Sequence, residues 1–212
     1  MLTNKPTIIA ISGASASGKS LFAQTIFQEL FPELGKEGIA IIKEDAYYKA
    51  QDHIPLAQRI ETNYDHPNAF EHSLLTSQLQ ELQQGNDIKC PVYCYKTHTR
   101  LSDTIEINAS PIILVEGILL FADEQLRDCF DLKIYMDTPL DICLLRRIKR
   151  DIEERDRDID SITQQYEQTV RPMYHQFIAP SKSWADIIVN KGGKNRMAIE
   201  VIKAKIRQLI QQ

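Results

Sequence analysis

The segment Thr7-Ile8-Ile9-Ala10-Ile11-Ser12-Gly13-Ala14-Ser15-Ala16-Ser17-Gly18-Lys19-Ser20 joins two patterns. Its first part, up to Ser12, is a short apolar, β-rich run that reads as a buried strand. From Gly13 it matches G-x-x-x-x-G-K-[ST]. The spacing has a chemical reason. Gly13 and Gly18, with the small residues Ala14, Ser15, Ala16 and Ser17 between them, let backbone N–H groups converge on a phosphate. The helix expected to start here adds the positive end of its dipole. Lys19 supplies a mobile point charge for the terminal phosphates, and Ser20 offers a hydroxyl to Mg²⁺. Strand, loop and helix in this order predict a nucleotide-phosphate site running from Gly13 to Ser20.

Outward from that loop, apolar spacing predicts a helix from Leu21 to Leu30, ended by Pro32 and Gly35. Ile39–Ile42, Pro111–Val115, Leu132–Met136 and Ile187–Val189 read as further buried strands. Helices are expected around 72–83, 139–156, 161–178 and 196–210, the last with Ile199, Ile202, Ile206 and Ile210 on one face. Alternating buried strands and helices predict a parallel sheet covered on both faces, a three-layer α/β/α fold. Residues 88–107 break the rhythm. Two strand-like runs, Cys90–Tyr95 and Asp103–Ile107, flank polar residues and read as a β-hairpin outside the main sheet. With no repeat or linker in view, a single domain over 1–212 is expected.

Composition narrows the function classes. The chain has 212 residues, with 25 Lys+Arg against 29 Asp+Glu and a net charge of −4. Phosphate-backbone binders usually carry a basic field, so no nucleic-acid partner is expected. No apolar run approaches the ~18 residues needed to span a bilayer, so no membrane partner is expected either. The first residues lack a basic stretch followed by a long apolar one, which predicts a cytoplasmic protein without a signal peptide. Cys90 and Cys94 lack a second Cys/His pair at zinc spacing; with Cys129 and Cys143 they read as free thiols in a reducing compartment.

A guanine-nucleotide switch would carry D-x-x-G and N-K-x-D segments. No glycine here has an aspartate three positions before it, and Asn190-Lys191-Gly192-Gly193 has glycine where the aspartate should stand. A small-molecule kinase needs a base for the acceptor hydroxyl, cations over the transferring phosphoryl group and a shaped acceptor pocket. The second strand ends in Glu44-Asp45, and carboxyl ends of strands line the crevice of an open α/β sheet. Asp45 is thus a candidate base, or else a solvated turn aspartate. Val115-Glu116-Gly117 offers Glu116 as a carboxylate facing Mg²⁺, or as a plain strand-end residue. Arg146, Arg147, Lys149, Arg150, Arg155 and Arg157 mix with Asp151, Glu153, Glu154, Asp156 and Asp158. Charge pattern alone favours a salt-bridged solvated helix; the other reading is a lid whose arginines close over phosphates.

Further segments carry a resemblance. Glu-Asp-Ala-Tyr-Tyr-Lys (44–49), Asn-Tyr-Asp-His-Pro (63–67), Pro-Val-Tyr-Cys-Tyr-Lys-Thr-His-Thr-Arg (91–100), Val-Glu-Gly-Ile-Leu (115–119), Arg-Arg-Ile-Lys-Arg-Asp (146–151), Gln-Tyr-Glu-Gln-Thr-Val-Arg-Pro-Met (165–173) and Lys-Gly-Gly-Lys-Asn (191–195) resemble the uridine kinase, or uridine-cytidine kinase, family of P-loop kinases. They occur in family order, and the 63–67 motif followed by Tyr-x-x-x-x-His-x-Arg is specific. The resemblance implies a P-loop NTPase-type α/β/α fold with the hairpin, about 88–107, at the substrate pocket and a lid at about 146–165. It implies phosphoryl transfer from ATP or GTP, with Mg²⁺, to the 5′-hydroxyl of uridine or cytidine in pyrimidine salvage.

By the same resemblance Asp45 is the catalytic base, and Lys19, Arg150 and Arg155 face the phosphates. Asp65 holds the ribose hydroxyls, Tyr93 and His98 contact the pyrimidine, and Tyr48 and Tyr95 wall the pocket. Arg147, Arg157 and Gln165 contact the nucleoside, Ser20 and Glu116 serve the metal, and Lys194 lies near the adenine. The implied partners are a nucleoside, a nucleoside triphosphate and further copies of the chain in a homotetramer. One departure stands out: the family pattern Glu-Arg-Gly-Arg is Glu154-Arg155-Asp156-Arg157 here, which puts the lid's geometry in question. A related kinase of another acceptor, of phosphoribulokinase or pantothenate kinase type, and a nucleotide switch remain as alternatives.

Overall fold

The computed structural model describes residues 5–211. In chain order the strands are β1 (Thr7–Gly13), β2 (Ile39–Lys43), β3 (Ile88–Cys94), β4 (Thr99–Ile107), β5 (Ile112–Gly117), β6 (Leu132–Asp137) and β7 (Ile187–Asn190). Five of them form one sheet in the order β2-β5-β1-β6-β7, and every pairing is parallel. The helices are α1 (Lys19–Gly38), α2 (Leu56–Ile60), α3 (His72–Gln83), α4 (Glu124–Arg127), α5 (Leu140–Arg155), α6 (Ile159–Gln165), α7 (Arg171–Met173), α8 (Ala179–Ser181) and α9 (Arg196–Ile210).

The inner strands β1 and β5 of this sheet are apolar without alternation because both faces of the sheet are covered. All six residues of β5 are buried. In β1, Ile9 and Ile11 pack with Phe22, Ile26 and Leu30 of α1 and with Ile199, Ile202 and Ile206 of α9. Ile8 and Ala10, pointing the other way, pack with Leu75, Leu79 and Leu82 of α3 and Leu126 of α4. Each fully buried side chain of this size contributes about 1.5–3 kcal/mol of transfer free energy.

Three local expectations shift. The first helix passes through Pro32 and breaks at Gly35, which has φ 67°. Pro32 and Gln28 are both exposed, so the carbonyl deprived of its partner faces water. The hairpin forms, but β3 stops at Cys94 and β4 starts at Thr99, so Tyr95 and His98 lie in the connecting turn. Tyr93 pairs with Arg100 and Cys94 with Thr99, which brings polar residues into the ladder. The helix expected over 161–178 runs from Ile159 to Ser181, with π-helical turns at Tyr166–Val170 and Tyr174–Ile178. Each precedes a stretch containing a proline, Pro172 or Pro180. A wider turn moves the carbonyl four residues back away from the proline ring.

Candidate active site

The loop after β1 is shaped by backbone approaching backbone. Gly13 has φ 143°, and a Cβ there would meet the Met136 carbonyl at 2.7 Å. Gly18 has φ 99°, and its Cβ would meet the Gly193 nitrogen at 2.5 Å. Both glycines are therefore required by close contacts as well as by conformation. The Ser17 N–H donates to the Ala14 carbonyl at 3.0 Å, and Thr138 Oγ1 donates to the Ser17 carbonyl at 2.8 Å. Lys19 is buried, and Ser20 Oγ donates to Glu116 Oε2 at 3.0 Å. Strand register explains that contact: Glu116 pairs with Ile11 on one side and with Lys43 on the other, beside the loop. Burial raises the Glu116 pKa, with Lys19 opposing and the charge of Asp45 assisting. The segment 191–195 backs the loop through its glycines. A Cβ on Gly193 would lie 2.3 Å from the Gly18 carbonyl, while Lys194 is exposed.

Asp45 sits in a 3₁₀ turn, Glu44–Tyr47, directly after β2. Glu44 pins that turn. It is fully buried, with Oε1 2.9 Å from His72 Nε2 and Oε2 accepting from the Leu119 N–H at 3.0 Å. Gly117 makes room for it, since a Cβ at 117 would lie 2.2 Å from Glu44 Oε2. Asp45 Oδ2 accepts from Tyr95 Oη at 2.7 Å. Tyr95 is half exposed, so local desolvation of its phenol and the adjacent Asp45 carboxylate raise its pKa without the full effect of a buried site. The Arg155 guanidinium lies 5.3 Å from the centre of the Tyr95 ring.

Asp65 is 6% exposed. Burial raises its pKa, Asp45 pushes the same way, and Arg147 and Lys19 oppose. Tyr48 stacks on Phe70 at 4.2 Å and meets Tyr93 at 5.0 Å and Tyr64 at 5.1 Å. The Tyr93 Oη is buried without a hydrogen-bond partner. Tyr64 Oη lies 3.2 Å from His98 Nδ1. Burial lowers the His98 pKa, helped by the charges of Arg155, Arg157 and Arg59.

The arginine segment is neither a plain solvated helix nor a bare cluster of cations. Asp151, fully buried, is its hub. Its Oδ1 accepts from Arg150 Nε at 2.9 Å and lies 3.6 Å from Arg155 Nη1. Its Oδ2 lies 3.7 Å from Arg147 Nε and 3.6 Å from Arg157 Nη1. Arg147 Nη1 donates to Ser15 Oγ at 3.1 Å, which ties α5 to the phosphate loop. Gln165 Oε1 accepts from Arg147 Nη2 at 2.9 Å and from Arg157 Nη1 at 2.6 Å. Asp156 is the left-handed cap of α5, with φ 52° and ψ 43°.

The structure thus brings together Lys19, Ser20 and Glu116, then Asp45 with Tyr95, then Arg147, Arg157 and Gln165. Sequence reading passed over Glu44, His72, Asp151 and Arg100. Arg100 Nη2 donates to the Tyr47 carbonyl at 3.0 Å and Nη1 to Glu71 Oε2 at 2.5 Å, which holds the hairpin to the Asp45 turn. Nothing in local patterning marks these four, because their value lies in partners 28 to 75 residues away, or in burial.

A phosphate loop closing a parallel strand, a carboxylate turn at the end of β2, which β5 separates from β1, and an arginine hub tied to the loop define a P-loop kinase. The chain belongs to the Phosphoribulokinase / Uridine kinase family, whose model matches residues 8–198. It is 56% identical over 204 residues to the uridine kinase of Enterobacter sp. (strain 638), covering 96% of each chain. The uridine kinase of Salmonella typhimurium (strain LT2) is 55% identical over the same share of both chains. Among solved structures, phosphoribulokinase from Rhodobacter spheroides superimposes with a TM-score of 0.66 at 17% identity, over 88% of this chain and 70% of that one. That likeness concerns the fold alone.

Proposed function

We propose that this chain transfers the terminal phosphoryl group of ATP or GTP to the 5′-hydroxyl of uridine, and of cytidine. The observation that carries the reading is that one arginine segment reaches both halves of the site. Arg147 donates to Ser15 Oγ of the phosphate loop at 3.1 Å, and the Arg155 guanidinium lies 5.3 Å from the ring centre of Tyr95, whose Oη donates to Asp45 at 2.7 Å. The uridine kinase relatives at 55–56% identity supply the acceptor class.

In this reading Asp45 accepts the hydroxyl proton, and the hydrogen bond from Tyr95 aims its carboxylate. Asp65 accepts from the ribose hydroxyls, which suits a carboxylate with two acceptor oxygens. Tyr48 and Tyr95 wall the base, and Tyr93 and His98 meet its polar edge; the unpartnered Tyr93 Oη is free to do so. Arg147, Arg157 and Gln165 approach the nucleoside from the arginine segment, residues 146–165, which serves as a lid. Lys19, Arg150 and Arg155 hold the phosphates, and Lys194 lies near the donor base. Ser20 and Glu116 supply hard oxygen donors of the kind Mg²⁺ takes alongside phosphate and water. When bound, Mg²⁺ neutralises charge on the phosphate oxygens. The same reading carries a single catalytic domain, a homotetramer and a cytoplasmic location. Among the described residues, no helix is long and apolar enough to cross a membrane.

The test is a coupled assay of diphosphate release with uridine, cytidine, ribulose 5-phosphate, pantothenate or no acceptor. Turnover dependent on uridine or cytidine is expected. Turnover with one of the other acceptors alone would move the chain to another branch of the family. Turnover indifferent to any acceptor would favour a nucleotide switch.

A further inference from the structure

The hydrogen bonds around Tyr64 admit a proton count. Tyr64 Oη is 2.8 Å from the Arg59 carbonyl, 2.7 Å from Gln51 Nε2 and 3.2 Å from His98 Nδ1. A carbonyl only accepts, so the single phenolic proton goes to Arg59. The phenol oxygen is then an acceptor toward Gln51 and His98; the Tyr93 hydroxyl lies close enough to be influenced by Tyr64 but outside hydrogen-bond geometry. Gln51 fits as a donor there. Its Nε2 also lies 3.3 Å from the His98 carbonyl, and its Oε1 accepts from Thr62 Oγ1 at 2.8 Å. Turning the amide over would set two carbonyl oxygens against each other, so the orientation follows from the network. His98 Nδ1 is the remaining neighbour, and it has to donate. Burial and the charges of Arg155, Arg157 and Arg59 lower the ring's pKa and so favour its neutral form near pH 7, in which a ring protonated at Nδ1 has a bare Nε2.

We propose that Tyr64, oriented by Gln51 and the Arg59 carbonyl, is a specificity-determining positioning residue that locks His98 in its Nδ1–H tautomer and leaves Nε2 as an acceptor aimed at a donor on the ligand's edge. Among the described residues, Nε2 has no hydrogen-bond partner of its own. His98 stands at the turn of the hairpin with φ 51°, a conformation that non-glycine residues adopt rarely, and the Gln51 bond to its carbonyl helps hold it there. The inference rests on the nucleoside reading above for the identity of the ligand. It then specifies the chemistry: an acceptor selects an edge N–H, as on N3 of uridine or the exocyclic amine of cytidine. A donor in its place would select a carbonyl oxygen.

The test reads the tautomer directly. Long-range ¹H–¹⁵N correlation spectra of the full chain, with His98 assigned by its loss in His98→Gln, distinguish a protonated ring nitrogen from a bare one. A protonated Nδ1 and a bare Nε2 are expected near neutral pH, and uridine should shift the Nε2 signal. In Tyr64→Phe the ring loses its acceptor, so the Nε2–H form should appear and nucleoside KM should rise more than kcat falls. A bare Nδ1 in the wild-type chain would overturn the proposal, as would an unchanged tautomer in Tyr64→Phe. The wild-type spectrum decides the point even if that variant fails to fold. Absent uridine turnover with the expected tautomer would instead count against the nucleoside reading alone.

Discussion

Asp45 stands two residues beyond the end of β2, and its position is set by its neighbour. Glu44 turns inward to His72 and the Leu119 N–H, which leaves Asp45 facing Tyr95. Asp45→Asn keeps an oxygen for the Tyr95 hydroxyl but loses the basic site. The expected outcome is a kcat lower by about 10²–10⁴, the usual contribution of a general base, with the affinity for the triphosphate little changed. Steady-state kinetics with uridine varied, together with binding of a non-hydrolysable donor analogue, measure both. Near-normal turnover would remove Asp45 from the role of base.

At the scale of elements, the cap of α5 explains the one departure from the family pattern. Position 156 adopts the left-handed conformation at the end of the helix, φ 52° and ψ 43°, where glycine carries no steric penalty. An L-residue there costs roughly 1–2 kcal/mol, less for aspartate, while glycine costs about 0.5–1 kcal/mol in unfolded-chain entropy. Asp156→Gly should therefore stabilise the chain by under about 1 kcal/mol in urea unfolding, because these terms nearly cancel. The Asp151 hub stays intact, so kcat should move by less than about tenfold. A clear loss of stability would show that Asp156 contributes through its side chain.

The packing of α1 on α9 makes a second expectation at this scale. Glu29 of α1 accepts from Arg196 Nη2 at 2.9 Å and from Lys203 Nζ at 2.5 Å, both on α9. These bonds, Arg196 first, hold its pKa down to about 2 from an ordinary 4.5. A depressed carboxylate contributes stability above its unfolded pKa and loses it as pH falls through the folded one. Thermal stability should thus decline between about pH 4.5 and 2. Glu29→Gln should lower the melting temperature at pH 7 and flatten the acid side of the profile. Parallel profiles for the two proteins would show that the pair contributes nothing.

For the whole molecule, the proposed acceptor pocket draws on the turn after β2, the segment around Asp65, the hairpin and the helices after β6. Sugar selectivity tests that assembly. Asp65 is 6% exposed, and burial raises its pKa, so a missing ribose hydroxyl would leave it poorly solvated. An unpaired buried polar group costs about 1–3 kcal/mol, and more when charged. Sites built to bond a substrate hydroxyl reject its absence by as much as about 10⁴–10⁵, and residual water access lowers this. Comparison of kcat/KM for uridine and 2′-deoxyuridine should show strong preference for the ribonucleoside, and Asp65→Ala should shrink it. Equal wild-type values would overturn the ribose role of Asp65.

The phosphate loop, the five parallel strands and the hairpin are legible in the chain because they rest on local facts. Strand burial reads from continuous apolar runs, the loop from fixed glycine spacing, and the candidate site residues from motifs in family order. The tertiary structure decided which polar groups meet. Asp151 looked like one acid among several on a charged helix, yet it is fully buried amid Arg147, Arg150, Arg155 and Arg157. Glu44 and Asp45 are adjacent in the chain, yet burial and bonds to His72 and the Leu119 N–H pin the first, while the second bonds to Tyr95. The tautomer of His98 depends on Gln51, Arg59 and Tyr64, up to 47 residues away. Hydrogen bonds are short-ranged and directional, so their partners are fixed only when the folded chain closes those distances.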